Sequence, residues 1–170
     1  SFAKIKSDVL GKNVDLVGMD ACLMAMLEIG YQIKDSVDVL VTSQNTEPGQ
    51  GWAYAGFLNP LCADSASYAS QDLAREMVNA YGRFYKNNTN IKYYTQSAID
   101  LSKLDALKSN VDQFLAAVNV AAAQDAASMK TMIKTARNAT IDFYGEGYID
   151  LGMFYNAMLT GIKNKNKTLL

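Results

Sequence analysis

Residues Val14-Asp15-Leu16-Val17-Gly18-Met19 are apolar on both faces, the pattern of a strand inside a parallel sheet. Over residues 21–34, Leu23, Met26, Leu27, Gly30 and Ile33 recur at helical spacing and predict a helix. A β-branched run, Val37-Asp38-Val39-Leu40-Val41-Thr42, predicts a second strand. Strand, helix and strand make a βαβ unit, which implies parallel pairing with a right-handed crossover. Upstream, residues 2–10 read as an amphipathic helix that Gly11-Lys12-Asn13 brings to a stop.

The second strand leads into a loop over residues 43–54, SQNTEPGQGWAY, punctuated by glycine and proline. In open α/β sheets the carboxyl ends of strands are where ligands bind, so this loop and Cys22 share one rim. Residues 67–85 predict a long helix with Leu73, Met77, Tyr81 and Phe84 on one stripe. Residues 92–99 alternate like a strand, and Ser102-Lys103-Leu104-Asp105 resembles a capping box opening a helix over 103–120. A further helix is expected over 126–137 and an extended piece over 140–144. Asp150 is a suitable N-cap for a last helix over 151–162, after which residues 163–170 carry no periodic pattern.

Composition narrows the class. With 170 residues, 49% of them hydrophobic, and a net charge of −1, the chain is expected to form one globular domain. No apolar run approaches a membrane span, and no segment resembles a signal peptide. Lysines spread along the chain give no basic footprint for nucleic acid. Two cysteines make no disulfide framework at this size, and Cys62, in the loop-like stretch Asn59-Pro60-Leu61-Cys62, reads as a small buried hydrophobe. The chain opens at Ser1 without a start Met, which reads as a processed or excised fragment.

Cys22 stands where an α/β fold would place a nucleophile, yet the chain contains no histidine, and a thiol nucleophile usually needs an imidazole beside it. At the first turn of the predicted helix, free backbone N–H groups and the helix dipole would favour the thiolate, and the same amides could bind an oxyanion. A structural cysteine packed under a helix suits the position equally. Asp20, between Met19 and Ala21, reads either as a helix N-cap or as an acid that meets a cationic substrate side chain.

Met19-Asp20-Ala21-Cys22-Leu23-Met24, followed by an apolar strand ending in Ser43 and by Glu47-Pro48-Gly49-Gln50-Gly51-Trp52-Ala53-Tyr54, resembles the clostripain family of cysteine peptidases. Ser97-Ala98-Ile99-Asp100-Leu101-Ser102 and Tyr148-Ile149-Asp150-Leu151 resemble it too, so the likeness runs from about Val14 to Met158. It implies a caspase-like α/β/α sandwich with a mainly parallel central sheet, of which this chain supplies the C-terminal, nucleophile-bearing portion. Cys22 matches the family nucleophile. Asp20 stands where the caspase signature has Gln, in the primary specificity pocket, and implies a preference for Arg or Lys. Ser43, Glu47 and Trp52 match the strand end and the pocket-lining segment, with Glu47 also readable as a solvated loop carboxylate.

The resemblance also accounts for the missing histidine. Such enzymes are commonly cut into two chains that stay associated, with the His on the N-terminal piece and the cut after a basic residue. The expected cleavage site is immediately before Ser1. The family is commonly secreted and bacterial, and calcium dependence occurs in part of it, though the acids here define no oxygen-ligand loop and no metal site. The implied activity is an endopeptidase cleaving protein or peptide substrates after Arg or Lys. Two other readings stay open: a doubly wound binding module, for which no G-x-G-x-x-G or Walker sequence speaks, and an inactive interaction subunit that keeps the fold.

Overall fold

The structure, a computed structural model, describes residues 1–87, 90–145 and 147–168. The chain divides into two compact units, Ser1–Ala106 and Leu107–Leu170; the last two residues lie outside those described.

The first unit holds the sheet. Helix α1 (Phe2–Ile5) runs into a π turn, Lys6–Leu10, which Gly11 closes in the left-handed region. Strand β1 (Val14–Met19), helix α2 (Leu27–Ile33) and strand β2 (Val37–Thr42) form the expected βαβ unit. β1 and β2 pair in parallel, from Val14 opposite Val37 to Met19 opposite Thr42. A third strand, β3 (Ser97–Asp100), pairs antiparallel with the other side of β2, giving the order β1-β2-β3.

β2 sits at the centre because both its faces are apolar. Val39 and Val41 enter a core with Met77, Tyr81 and Tyr85 of helix α4 (Ser70–Lys86), closed by Trp52 and by Phe57 of helix α3 (Tyr54–Ala63). Leu40 points to the opposite face and is fully buried as well, so β2 is covered on both sides. Each such side chain contributes about 1.5–3 kcal/mol through burial. The class is α/β, as the sequence predicts.

Several boundaries differ, each for a local reason. α2 begins at Leu27 rather than near residue 21, because Leu23 and Ala25 donate their N–H groups to the carbonyls of Asn45 and Ser43. Those bonds tie the segment to the loop leaving β2 and take up amides a helix would need. Helix α3 is absent from the sequence reading, where Asn59-Pro60-Leu61-Cys62 is loop-like. It forms nonetheless with Pro60 inside it, and Cys62, near its end, is exposed rather than buried. Residues 92–96 stay outside β3 because the ladder runs out where Ser97 meets Thr42, the last residue of β2. On α4 the buried stripe turns through Ala74, Met77, Tyr81 and Tyr85, leaving Phe84 exposed.

Helix α5 (Leu104–Gln124) follows a 3-10 turn, Leu101–Lys103, whose cap is Asp100 and not the Ser102 box. The Asp100 carboxylate accepts the Ser102 N–H at 3.0 Å. In the second unit, Asp125 caps helix α6 (Ala126–Asn138), and Asp150 caps helix α7 (Leu151–Thr168) by accepting the Met153 N–H at 2.7 Å. α7 continues six residues past the expected end at Ile162. The extended piece closes through a bridge between Asp142 and Ile149.

Candidate active site

β1 carries the chain to Asp20 and Cys22, and the loop leaving β2 folds back over them. Thr42 anchors the junction, its hydroxyl donating to the Met19 carbonyl at 3.1 Å. Ser43 is fully buried; its Oγ shares a 2.9 Å hydrogen bond with Thr95 and donates to the Asn45 carbonyl at 3.0 Å. Ser43 thus shapes the loop from below and does not face the rim.

Cys22 is exposed, and its Sγ accepts the backbone N–H of Glu47 at 3.1 Å. The expected first-turn amides are not its neighbours, because α2 starts only at Leu27. Leu23, directly after the cysteine, lies at φ +61°, a left-handed conformation that costs a bulky residue about 1–2 kcal/mol. Its N–H bond to Asn45 helps hold it there. The result is a thiol presented at a strained corner, with one backbone donor aimed at it.

Asp20 turns away from any helix, so it is not an N-cap. Its Oδ2 accepts the Trp52 N–H at 3.1 Å and the Tyr54 hydroxyl at 2.8 Å. Trp52 Nε1 in turn donates to both carboxyl oxygens of Glu47, at 3.0 Å each. Glu47 meets Asp20 through a side-chain hydrogen bond, so the two acids form a pair beside the thiol. Two glycines make room for this. A Cβ on Gly18 would lie 2.8 Å from the Trp52 ring; one on Gly51, at φ +65°, would lie 2.9 Å from Asp20 Oδ2.

The paired acids titrate in opposite directions. Burial and the hydrogen bond to Asp20 raise Glu47 to about 8, against the partial opposition of Trp52. Burial works against ionised Asp20 too, but hydrogen bonds from Glu47, Tyr54 and the Trp52 amide outweigh it and hold Asp20 below the ordinary carboxylate range. At neutral pH the pair therefore carries one negative charge and one proton, held on Glu47. The Tyr54 hydroxyl is raised, first by its bond to Asp20. Behind the pair lie Tyr81 and Tyr85, both raised by burial and by the nearby acids; the Tyr85 hydroxyl donates to the Gly51 carbonyl at 2.6 Å.

The structure therefore brings together Cys22, Asp20, Glu47 and Trp52 and places Ser43 beneath them. Tyr54 and Gly51 belong to the same cluster and are not singled out by sequence reasoning, although both lie in the Glu47-to-Tyr54 motif. Among the described residues, no cluster of three or more His, Cys, Asp or Glu could hold a metal ion, and no helix is long and apolar enough to cross a membrane.

A search of curated proteins returned no match. Among solved structures, the chain is similar to a clostripain from Bacteroides thetaiotaomicron in complex with a peptide inhibitor, at 24% identity and TM-score 0.47, covering 58% of this chain and 41% of that one. It is also similar to a secreted C11 cysteine protease from the same organism bound to an irreversible peptide inhibitor, at 19% identity and TM-score 0.58, over 91% of this chain and 42% of the other. An inactive zymogen C11 protease from Parabacteroides distasonis matches at 15% identity and TM-score 0.58, over 95% and 44%. The chain thus spans less than half the length of these proteases, and the likeness to the latter two shows a shared fold. A profile of the clostripain family matches residues 4–168, nearly the whole sequence. The chain belongs to the clostripain family, with a cysteine-protease fold.

Proposed function

We propose that this chain is the nucleophile-bearing portion of a cysteine endopeptidase that cleaves after Arg or Lys. The observation that carries the reading is the Asp20–Glu47 acid pair beside an exposed Cys22 whose Sγ already accepts a backbone N–H. Cys22 attacks the scissile carbonyl, and a histidine from an N-terminal chain of the same precursor takes the thiol proton and returns it to the leaving amine. The Cys22 amide, with a glycine amide from that partner, stabilises the oxyanion. Asp20 engages the basic side chain of the substrate by a charge-assisted hydrogen bond, with Glu47 as the second acid and Trp52 as the wall holding Glu47. Ser43 serves the pocket by fixing the loop. The partner reading is supported by β1, whose second edge has no strand partner among the described residues, leaving backbone groups open for pairing.

Maturation by cleavage immediately before Ser1 and secretion from a bacterial cell belong to the same proposal, supported by the family.

The test adds a lysyl or arginyl chloromethyl ketone to the complete protein and maps the adduct by mass spectrometry. Labelling of Cys22 that is lost in Asp20→Ala supports the peptidase. Labelling of exposed Cys62, or none, sinks it in favour of a binding module or an inactive subunit.

A further inference from the structure

Tyr54 ends the pocket loop and opens α3, so its backbone is fixed on one side by a helix and on the other by Trp52. Its ring packs against Trp52 and Phe57, with centroids 6.2 and 5.7 Å away. These contacts aim a half-exposed hydroxyl at Asp20, which it reaches at 2.8 Å. The Trp52 amide converges on the same oxygen, whereas Glu47 receives its donors from Trp52 Nε1. The two acids are thus held unequally: Asp20 takes a hydroxyl and a backbone amide, Glu47 only an indole N–H shared between its oxygens. Donors aimed at a carboxylate favour its ionised form.

Resting on the peptidase reading above, we infer that Tyr54 is a positioning residue of the specificity pocket: its hydroxyl keeps the negative charge on Asp20 and the pair's proton on Glu47, so that a cationic side chain entering the pocket expels that proton. The only covalent bond that breaks is the Glu47 O–H, and its proton passes to water or buffer. The incoming guanidinium or ammonium then faces two carboxylates. The groups facing the pair are Cys22 from the β1 end, Tyr54 from α3, and Tyr81 and Tyr85 from α4. Among the described residues none of these is a cation, so no side chain of this chain that faces the pair offsets its charge. Charge matching then sets selectivity. An empty pocket holds one negative charge and repels little, while a filled one holds two against the bound cation.

The experiment uses the complete, processed protein in wild-type and Tyr54→Phe forms. Phenylalanine keeps the ring contacts with Trp52 and Phe57 and removes only the hydroxyl. With arginyl and lysyl peptide amides the variant is expected to raise KM by about tenfold at neutral pH, with kcat moving far less. In wild type, 1/KM should climb with pH and level off near the Glu47 value; in the variant that rise should move to higher pH, because the dianion has lost a donor. Alkylation of Cys22 by iodoacetamide, a neutral reagent that needs no pocket, separates this from a general disturbance and should proceed at the same rate in both forms. A second measurement needs no variant. Calorimetry of agmatine binding to wild type, in two buffers of different ionisation heat, should show close to one proton released near pH 7. Agmatine binding without proton release overturns the inference, as does a Tyr54→Phe enzyme with unchanged KM and pH profile. A wild-type enzyme that neither binds agmatine nor cleaves after basic residues overturns the peptidase reading itself, and the inference falls with it.

Discussion

Glu47 touches Cys22 with its backbone and Asp20 with its side chain, so its titration bears on folding as well as on the proposed binding. Its folded value of about 8 lies above the ordinary 4.5. The folded chain therefore keeps a proton that the unfolded chain has released across that interval. Stability from this group is full below about 4.5 and is lost as pH rises through about 8. Asp20 acts with the opposite sign, contributing above its ordinary value and failing as pH drops through its lowered one. Urea midpoints at about pH 5 and about pH 9 should show wild type weakening toward alkali, and Glu47→Gln should flatten that fall. An unchanged slope in the variant would place the proton elsewhere. At this scale the sequence is informative but incomplete. Asp20, Cys22 and Glu47 are legible as rim residues because the strand ends and the loop motif are contiguous in the chain. The bond from Tyr54 to Asp20 spans 34 positions, and only the path of the loop creates it.

Elements were legible wherever a pattern had only one way to be buried. The βαβ unit, α6 and the Asp150 cap follow from periodicity and capping chemistry alone. The misses arise where hydrogen bonds between segments overrode local preference: the amides of Leu23 and Ala25 were taken by the Asn45 and Ser43 carbonyls and lost to α2, and β3 begins only where β2 ends, at Ser97 opposite Thr42. Pro60 was tolerated because α3 packs against α4, and tertiary contact outweighed one lost backbone bond. The turn entering α5 offers a test at this scale. The Ser102 side chain first, then its amide, hold the Asp100 carboxyl below its usual range. Asp100→Ala should cost about 1 kcal/mol at neutral pH. Because the folded value is depressed, that difference is present above the ordinary value of 3.8 and should vanish as pH falls through the lowered one. Chemical denaturation at both ends of that range measures it.

For the molecule as a whole, the side of β1 that has no strand partner among the described residues is where the proposed N-terminal chain is expected to pair. If the complete protein adds a strand there, alternate amides of Val14–Met19, those turned away from β2, should resist hydrogen exchange as strongly as the amides bonded to β2. Rapid exchange of that alternate set would argue for a partner docked elsewhere. The same whole-molecule view gives a use to Trp52. It is the only tryptophan in the chain, and its indole N–H rests on the Glu47 carboxyl. The tryptophan emission of this chain, excited beyond the tyrosine band, therefore reports on the proposed specificity pocket. That fluorescence should titrate with a midpoint near 8, lose the transition in Glu47→Gln, and shift toward its alkaline form when agmatine is added at neutral pH. The protein carries its own optical gauge of whether the pocket is charged and whether it is occupied.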